Sequence, residues 1–440
     1  MPQPSGAVPI LSGSPERAAA ALWQSLQPER WPLPLAELPA GTALVGGAVR
    51  DGLLGRLAER PDLDLVVVPE ALALARSLAR RLGGSFVALD AERSIARLVL
   101  RGWTIDLARQ VGDDLAADLD RRDFTINAMA LPLPADAGAP APALVDPHGG
   151  RADLAARRLV AIREANLLED PLRLLRGVRL AAELDFAIEP ATWGWIERHH
   201  GRLGAVAGER VLAELERLAA AAGGSSRLAA ALAAGLLRPW GGVAPEAAAE
   251  RLAGLTPEGA RERGLTAEEA AAALPLARLA AVLGGEGLAR LQASRRLQLR
   301  CRRLRRWRRE LAERRLADLE GLAEGERLEL QRDLEEDLPA LLLELPPAAA
   351  RAALARWRDP ADPLFHPRPP LDGRQLQQAL GLAAGPELGR LLEALSRERA
   401  FGRLPAAMAG DLTAEERQQV LITAQRWRGV GGAAADRRRD

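Results

Sequence analysis

Lysine and tyrosine are both missing from the chain, so all 60 basic residues are arginine. Alanine is abundant, a bias that a GC-rich genome explains. The physical consequence is independent of its origin. Any cationic contact to phosphate must be made by guanidinium, which grips two oxygens at once. Cysteine occurs once, as Cys301. An internal disulfide is therefore excluded, which fits a reducing compartment. The four histidines, His148, His199, His200 and His366, are followed by Gly, His, Gly and Pro. No His/Cys metal site is expected from them.

No apolar run reaches the roughly 18 residues of a membrane span. The opening MPQPSGAVPILSGSPERAAAALW has no basic start before an apolar segment, so it does not read as a secretory signal. Neither sign of charge dominates, since 60 basic and 59 acidic residues leave +1. The molecule as a whole is not an obvious polyanion binder. The expectation is a cytoplasmic protein without membrane contact. No protein partner is implied.

What is present is enough for a sizeable core. The chain has 440 residues, 48% of them hydrophobic, which excludes a disordered composition. From Gly41 to about Ala130, short β-like runs alternate with helical ones. TALVGG, LDLVVV, SFVALD, IARLVL and WTIDLA read as strands; AVRDGLLGR and PEALALARSLARRLGG read as helices, the second closed by glycines. A short helix is expected at Pro15–Leu26 within an N-terminal leader. LPLPADAGAPAPALVDPHGG (131–150) is a Pro/Gly/Ala-rich connection. Beyond it the strand signal nearly vanishes, and Leu and Ala recur at helical spacing to about residue 430.

The stretch PDLDLVVVP puts Asp62 and Asp64 at the mouth of an apolar strand, two apart and therefore on one face. Alone, DLD reads equally well as a strand end with two solvated aspartates. Just upstream, LVGGAVRDGLLGR takes a strand through Gly46-Gly47 into a helix. Its backbone N–H groups can approach an anion, and Arg50 lies one turn in. Paired carboxylates beside a phosphate cradle suggest Mg²⁺, which takes one or two carboxylates plus substrate phosphates. Two such ions can activate a 3′-hydroxyl and stabilise leaving pyrophosphate. Asp106, in RGWTIDLAR, offers a third carboxylate on another strand. Asp123, in DRRDFTINAMA, reads as a helix cap that Arg122 could pair with. EDPLRLLRGVR places Arg173 and Arg176 three apart on a helix, where they can share a face.

In order and spacing, LVGGAVRDGLLGR, DLDLVV, RRDFTINAMA, DPHGGRADL, EDPLRLLRGVRLAAELDF and GERVLAEL resemble the bacterial class II tRNA nucleotidyltransferase and poly(A) polymerase family. LDGRQLQQALGLAAGPELGRLLEAL looks like that family's RNA-binding tail. The resemblance implies an α+β fold: a polymerase-β-like nucleotidyltransferase palm domain followed by an elongated all-α neck, body and tail. The chain would divide into a leader (1–40), a head (41–130), a connector and neck with the nucleotide-selecting motif (131–222), a body (223–358), an RNA-binding tail (359–430) and a disordered end (431–440). The resemblance further implies that Asp62 and Asp64 hold the metal, with Asp106 the third carboxylate. Gly46, Gly47 and Arg50 would meet the triphosphate, Arg122 the nucleotide and Asp123 its ribose. Asp170 and Arg173 would read the base, with Arg176 and Arg179 helping to hold the nucleotide. An Asp acceptor beside an Arg donor fits the amine and ring nitrogen of both cytosine and adenine. Uracil and guanine would leave buried groups unpaired.

The implied substrates are the tRNA 3′ end with CTP, ATP or both. Only LARQVGDDLAADLD separates Asp106 from Arg121. Members of the family that add all of CCA carry a longer loop there, which tilts the expectation toward CC addition. Full CCA addition, A addition, poly(A) synthesis and a non-catalytic RNA-binding relative are the alternatives. RRLQLRCRRLRRWRRELAERR (295–315) is the densest basic block, with Trp307 expected to pack inward. Arg302, Arg305, Arg306 and Arg309 in it, and Gly385 at a helix start, are the candidate RNA contacts.

Overall fold

The β-branched and apolar runs of the N-terminal region assemble into one mixed sheet of six strands. These are β1 (Ala43–Val45), β2 (Leu63–Val67), β3 (Ser85–Asp90), β4 (Ile95–Leu100), β5 (Trp103–Arg109) and β6 (Ala130–Pro132). Their order is β3-β4-β5-β2-β1-β6. The central pair β2 and β5 is parallel, and every other pairing is antiparallel. Because β2 lies inside the sheet, Leu63, Leu65, Val66 and Val67 are all buried, and only Asp64 interrupts the apolar run. The helix Ala71–Leu82 buries Ala71, Ala75, Leu78 and Ala79 and ends on Gly83 in the left-handed conformation. On the face carrying Asp64, Ala43, Val45, Val66, Leu119, Ala128 and Ala130 form a separate apolar cluster.

The computed structural model describes residues 13–436 except 69, 135, 137, 408 and 409. The chain divides into two compact units, Met1–Glu214 with Ala234–Pro239, and Leu215–Ala233 with Trp240–Asp440. In the first, the helix Pro15–Leu26 falls where it was expected. It buries Ala18, Ala19, Leu22, Trp23 and Leu26, so this segment contributes to the core. The strand β6 was not expected. Its last two residues open the Pro-rich connection, and all three pair with β1. A two-residue parallel pair, Arg158–Leu159 with Ala187–Ile188, also lies in the stretch read as helical.

In the second unit the described elements are helical. The longest basic helix, Arg295–Glu313, is capped by Ser294 and buries Cys301, Leu304, Trp307 and Leu311. Trp307 packs inward as expected, its indole N–H donating to Asp333 at 3.0 Å. Toward the C-terminus, Leu371, Leu376, Leu395, Leu404, Val420 and Ala424 make a small core. The last helix, Ala414–Asp436, runs through the beginning of the expected disordered end, and residues 437–440 lie outside the described residues. No described helix is long and apolar enough to cross a membrane.

One buried cation organises this unit. Arg278 is fully buried, and desolvation pushes its guanidinium down to about 10. It donates to the carbonyls of Ala219 and Ala221 (2.7 Å each), to the Leu255 carbonyl and to Ser225 Oγ (2.9 Å each). Carbonyls at helix ends carry partial negative charge and replace the missing carboxylate. Arg278→Met leaves these acceptors buried and unpaired. It is expected to lower the free energy of unfolding by about 3 kcal/mol, read from urea denaturation.

Candidate active site

The turn between β1 and its following helix Gly47–Leu53 depends on Gly46. Its φ of +72° suits glycine, and a Cβ there would lie 3.2 Å from Asp64 Oδ2 and 3.6 Å from Arg122 Nη1. Glycine therefore leaves open the space between a carboxylate and a guanidinium. Asp64 sits in β2 beside that space. Loss of water pushes its carboxyl up to about 6; Arg122 pulls it down, and Asp106 pushes it further up.

The other half of the site is brought in by the helix Leu172–Leu184. Asp170 precedes Pro171 in an extended conformation, which starts the helix sharply. Gly177 then lets that helix close onto Phe124, because a Cβ there would come within 2.8 Å of the Phe124 ring. The close approach carries Arg176 to Asp123, Nε to Oδ2 at 2.9 Å. Asp123 is buried, which opposes its charge. Arg176, the Asn127 amide, Arg173 and the Phe124 N–H together still hold its carboxyl below the usual range. Its charge in turn raises the pKa of Arg176.

Gly46, Gly47, Asp64, Arg122, Asp123, Asp170, Arg173 and Arg176 thus line one cleft of about 200 Å³. Asn127, Leu172 and Arg210 complete the lining. Arg210 and Asn127 were given no role in the sequence reading, although both lie inside the motifs that it quotes. Arg210 donates to Asp170 Oδ2 at 2.8 Å, and Arg173 Nη1 donates to the Asn166 carbonyl at 2.7 Å. Arg122 pairs with Asp118 at 3.3 Å rather than with Asp123, and its Nε is buried without a partner among the described residues. Asp123 does not cap a helix; it accepts from Phe124 and Asn127 beside a 3₁₀ turn.

Four candidates do not reach the cleft. Arg179 is buried between Glu183 and Glu214. Each residue turns a helix by about 100°, so position 179 lies about 120° round the axis from 173. Arg50 is engaged by Asp51 at 2.9 Å and by Asn127 at 2.6 Å. Asp62 is exposed at the entrance of β2. Asp106 stands in register with Asp64, but both its oxygens are held by Arg97 of β4. Among the described residues, no three metal-ligand side chains are gathered at one point.

A larger cavity, of about 920 Å³, lies within the second unit. Arg302, Arg305, Arg306 and Arg309 line it, joined by Arg251, Arg263 and Arg308, which the sequence did not single out. Arg306 is tied to Glu329 at 2.6 Å and stacks on Trp307. Arg251 and Arg302 have no carboxylate in ion-pair reach among the described residues. Arg308 and Glu344 are 3.6 Å apart, beyond hydrogen-bond distance, and burial pushes the Glu344 carboxyl up. Gly385 caps the helix Pro386–Ala400 in an exposed position and does not line this cavity.

Residues 42–160 match the Poly A polymerase head domain. The matched segment is similar to the head domain of that family, and the N-terminal half of the chain is similar to tRNA nucleotidyltransferases. Over 209 residues it is 44% identical to a CC-adding tRNA nucleotidyltransferase of Synechocystis, covering 48% of this chain and 49% of that protein. It is 40% identical over 190 residues to an A-adding tRNA nucleotidyltransferase of Deinococcus radiodurans, covering 42% and 41%. The chain thus spans about half the length of the curated relatives it matches. Its fold is that of the Bacillus stearothermophilus CCA-adding enzyme solved in complex with CTP, with a TM-score of 0.64 at 21% identity over 95% of this chain and 99% of that one. The head domain accounts for β1 to β6 and for Gly46, Asp64, Arg122 and Asp123. Asp170, Arg173, Arg176 and Arg210 of the cleft come from beyond residue 160.

The depressed Asp123 carboxyl carries a stability consequence. A folded value below the unfolded one, near 3.9, means stabilisation that is complete above that pH and lost as pH falls through the folded value. Asp123→Asn should cost about 2 kcal/mol at neutral pH. The gap between wild type and variant should narrow in urea titrations below about pH 4.

Proposed function

We propose that the chain is a template-independent nucleotidyltransferase that adds cytidylate from CTP to the 3′ end of tRNA and releases pyrophosphate. The observation that carries this reading is the single cleft uniting Asp64, Arg122, Asp123, Asp170, Arg173 and Arg176. Enzymes with a polymerase-β-like head generally use divalent metal ions, and Mg²⁺ is the ion proposed here. Its protein ligands would be carboxylate oxygens, the donor type a hard cation takes, and Asp64 and Asp106 lie in register on adjacent strands. Asp62 and Asp64 would hold it, with Asp106 the third ligand. When bound it would activate the RNA 3′-hydroxyl and neutralise the triphosphate.

The remaining work falls to the protein. The unpartnered Nε of Arg122 and the exposed edge of Arg176 are suited to phosphate oxygens. Asp123 is fixed from three sides and can accept from a ribose hydroxyl. Arg210 holds Asp170 by Oδ2, leaving Oδ1, which receives only a 3.3 Å contact from Leu172 N, to accept from an exocyclic amine. Arg173 has one nitrogen on Asn166 and others to donate to the base. Such a pair selects cytosine and adenine over uracil and guanine without a template.

CC addition is favoured over full CCA addition by the short connection after β5, where a five-residue helix, Leu115–Leu119, capped by Asp114, leads directly to Arg122. The likeness to the A-adding relative favours A addition as the second reading. The RNA would be held through phosphates in the arginine-lined cavity, where Arg251 and Arg302 make no ion pair among the described residues.

Purified protein offered tRNAs ending at the discriminator base, at C and at CC, with CTP or ATP alone, distinguishes these readings. Incorporation of C but not A is expected; A onto CC alone would establish the second reading. Asp64→Ala should lower transfer by about 1000-fold while tRNA binding is retained. Arg251→Ala and Arg302→Ala should each weaken tRNA binding and flatten the slope of log K against log salt by about 1.

A further inference from the structure

Arg97 belongs to none of the motifs that define the cleft. It lies in β4, directly opposite Asp106 of β5, and Asp106 is itself in register with Asp64 of β2. Residues paired across strands project from the same face. One row across three strands therefore reads Arg97, Asp106, Asp64. The guanidinium meets Asp106 as a fork, Nε to Oδ1 at 2.8 Å and Nη2 to Oδ2 at 2.9 Å. This uses both oxygens of the third carboxylate. The hydrogen bond to Asp106, and the charges of Asp106, Asp62 and Asp64, all raise the pKa of Arg97. The side chain is 44% exposed, so the core does not depend on it.

A carboxylate that gives two oxygens to an arginine has neither free for another cation. We propose that Arg97 is the resident counter-ion of the carboxylate row, neutralising Asp106 until a divalent cation and nucleotide arrive and releasing it so that it can join Asp62 and Asp64. Arg97 is thus a positioning residue that sets how much divalent cation the site requires. The proposal rests on the reading of these carboxylates as cation ligands. A half-exposed pair is a weak competitor, so the expected effect is modest.

Mn²⁺ binding to the full chain, without nucleotide or RNA, gives a readout independent of catalysis, the free ion being counted by electron paramagnetic resonance. Arg97→Gln should bind Mn²⁺ roughly two- to fivefold more tightly than wild type. Arg97→Lys, which keeps the charge but loses the fork, should lie between the two and decides the matter if the Gln variant folds poorly. In an Asp106→Asn background the Arg97 effect should disappear. Asp64→Ala should weaken binding in every background. If Asp64→Ala does not weaken it, the reading of the carboxylates fails. If it does, but Arg97→Gln binds as wild type or more weakly, or gains equally without Asp106, only the counter-ion role is overturned.

Discussion

Two carboxylates in register on neighbouring parallel strands repel each other, and the first unit is arranged around that repulsion. Asp64 and Asp106 face the same way from β2 and β5. Desolvation, aided by the charges of Asp106 and Asp62 and opposed by Arg122 and Arg176, pushes Asp64 up to about 6. A protein selected for stability alone would place apolar or small residues there, as it does at Leu65 and Leu107 one step along the same pair of strands. Here the sheet instead brings cations to the row from both sides. Arg97 reaches it from β4, and Arg122 from the segment after the short helix Leu115–Leu119.

The second constraint is that the half of the cleft carrying Asp170, Arg173 and Arg176 comes from a different part of the chain. Asp123 is the hinge of that assembly. It is buried, bonded to Phe124 and Asn127 on its own segment, and paired with Arg176 of the helix Leu172–Leu184. Gly177 fits against Phe124 one residue further along that helix. Packing and charge thus fix the same registration: if the helix slipped by one residue, both the glycine contact and the ion pair would be lost. The floor of the cleft is rigid for this reason, while Asp170 and Arg173 retain atoms that the fold does not use.

Much of this was legible in the sequence because the signals were local. SFVALD and IARLVL are strands over the residues read as such, and the Pro15–Leu26 helix begins and ends where its sequence does. The aspartates and the Gly46 turn could be found because chemistry demands those residue types close together in the chain. What could not be read was set by partners distant in sequence. β6 is three residues long and ends in proline, so its pairing with β1 leaves almost no pattern. Arg97 appears in its strand as one polar residue among apolar ones, and its meaning lies in register with Asp106. Arg179 shares the helical spacing of Arg173 and Arg176. Two glutamates, one of them 35 positions away, take it out of the cleft.

A chain whose only strong cation is arginine must use one side chain for opposite purposes, and its surroundings separate them. Arg278 donates to four oxygens, and Arg179 lies between two carboxylates. Both are buried, and both hold the fold together. Among the described residues, Arg122 keeps a buried Nε without a partner and Arg251 and Arg302 make no ion pair, although Glu250 and Glu344 line the same cavity. A buried nitrogen without a partner is not by itself the distinction, since Arg278 also keeps its Nη2 buried without one among the described residues. What the cleft at Asp64 and the cavity along the helix Arg295–Glu313 share is a group of guanidiniums lining an open space. On the function proposed, the guanidiniums of both would meet phosphate oxygen. Arg97 stands between these cases, bonded to both oxygens of Asp106 and yet 44% exposed.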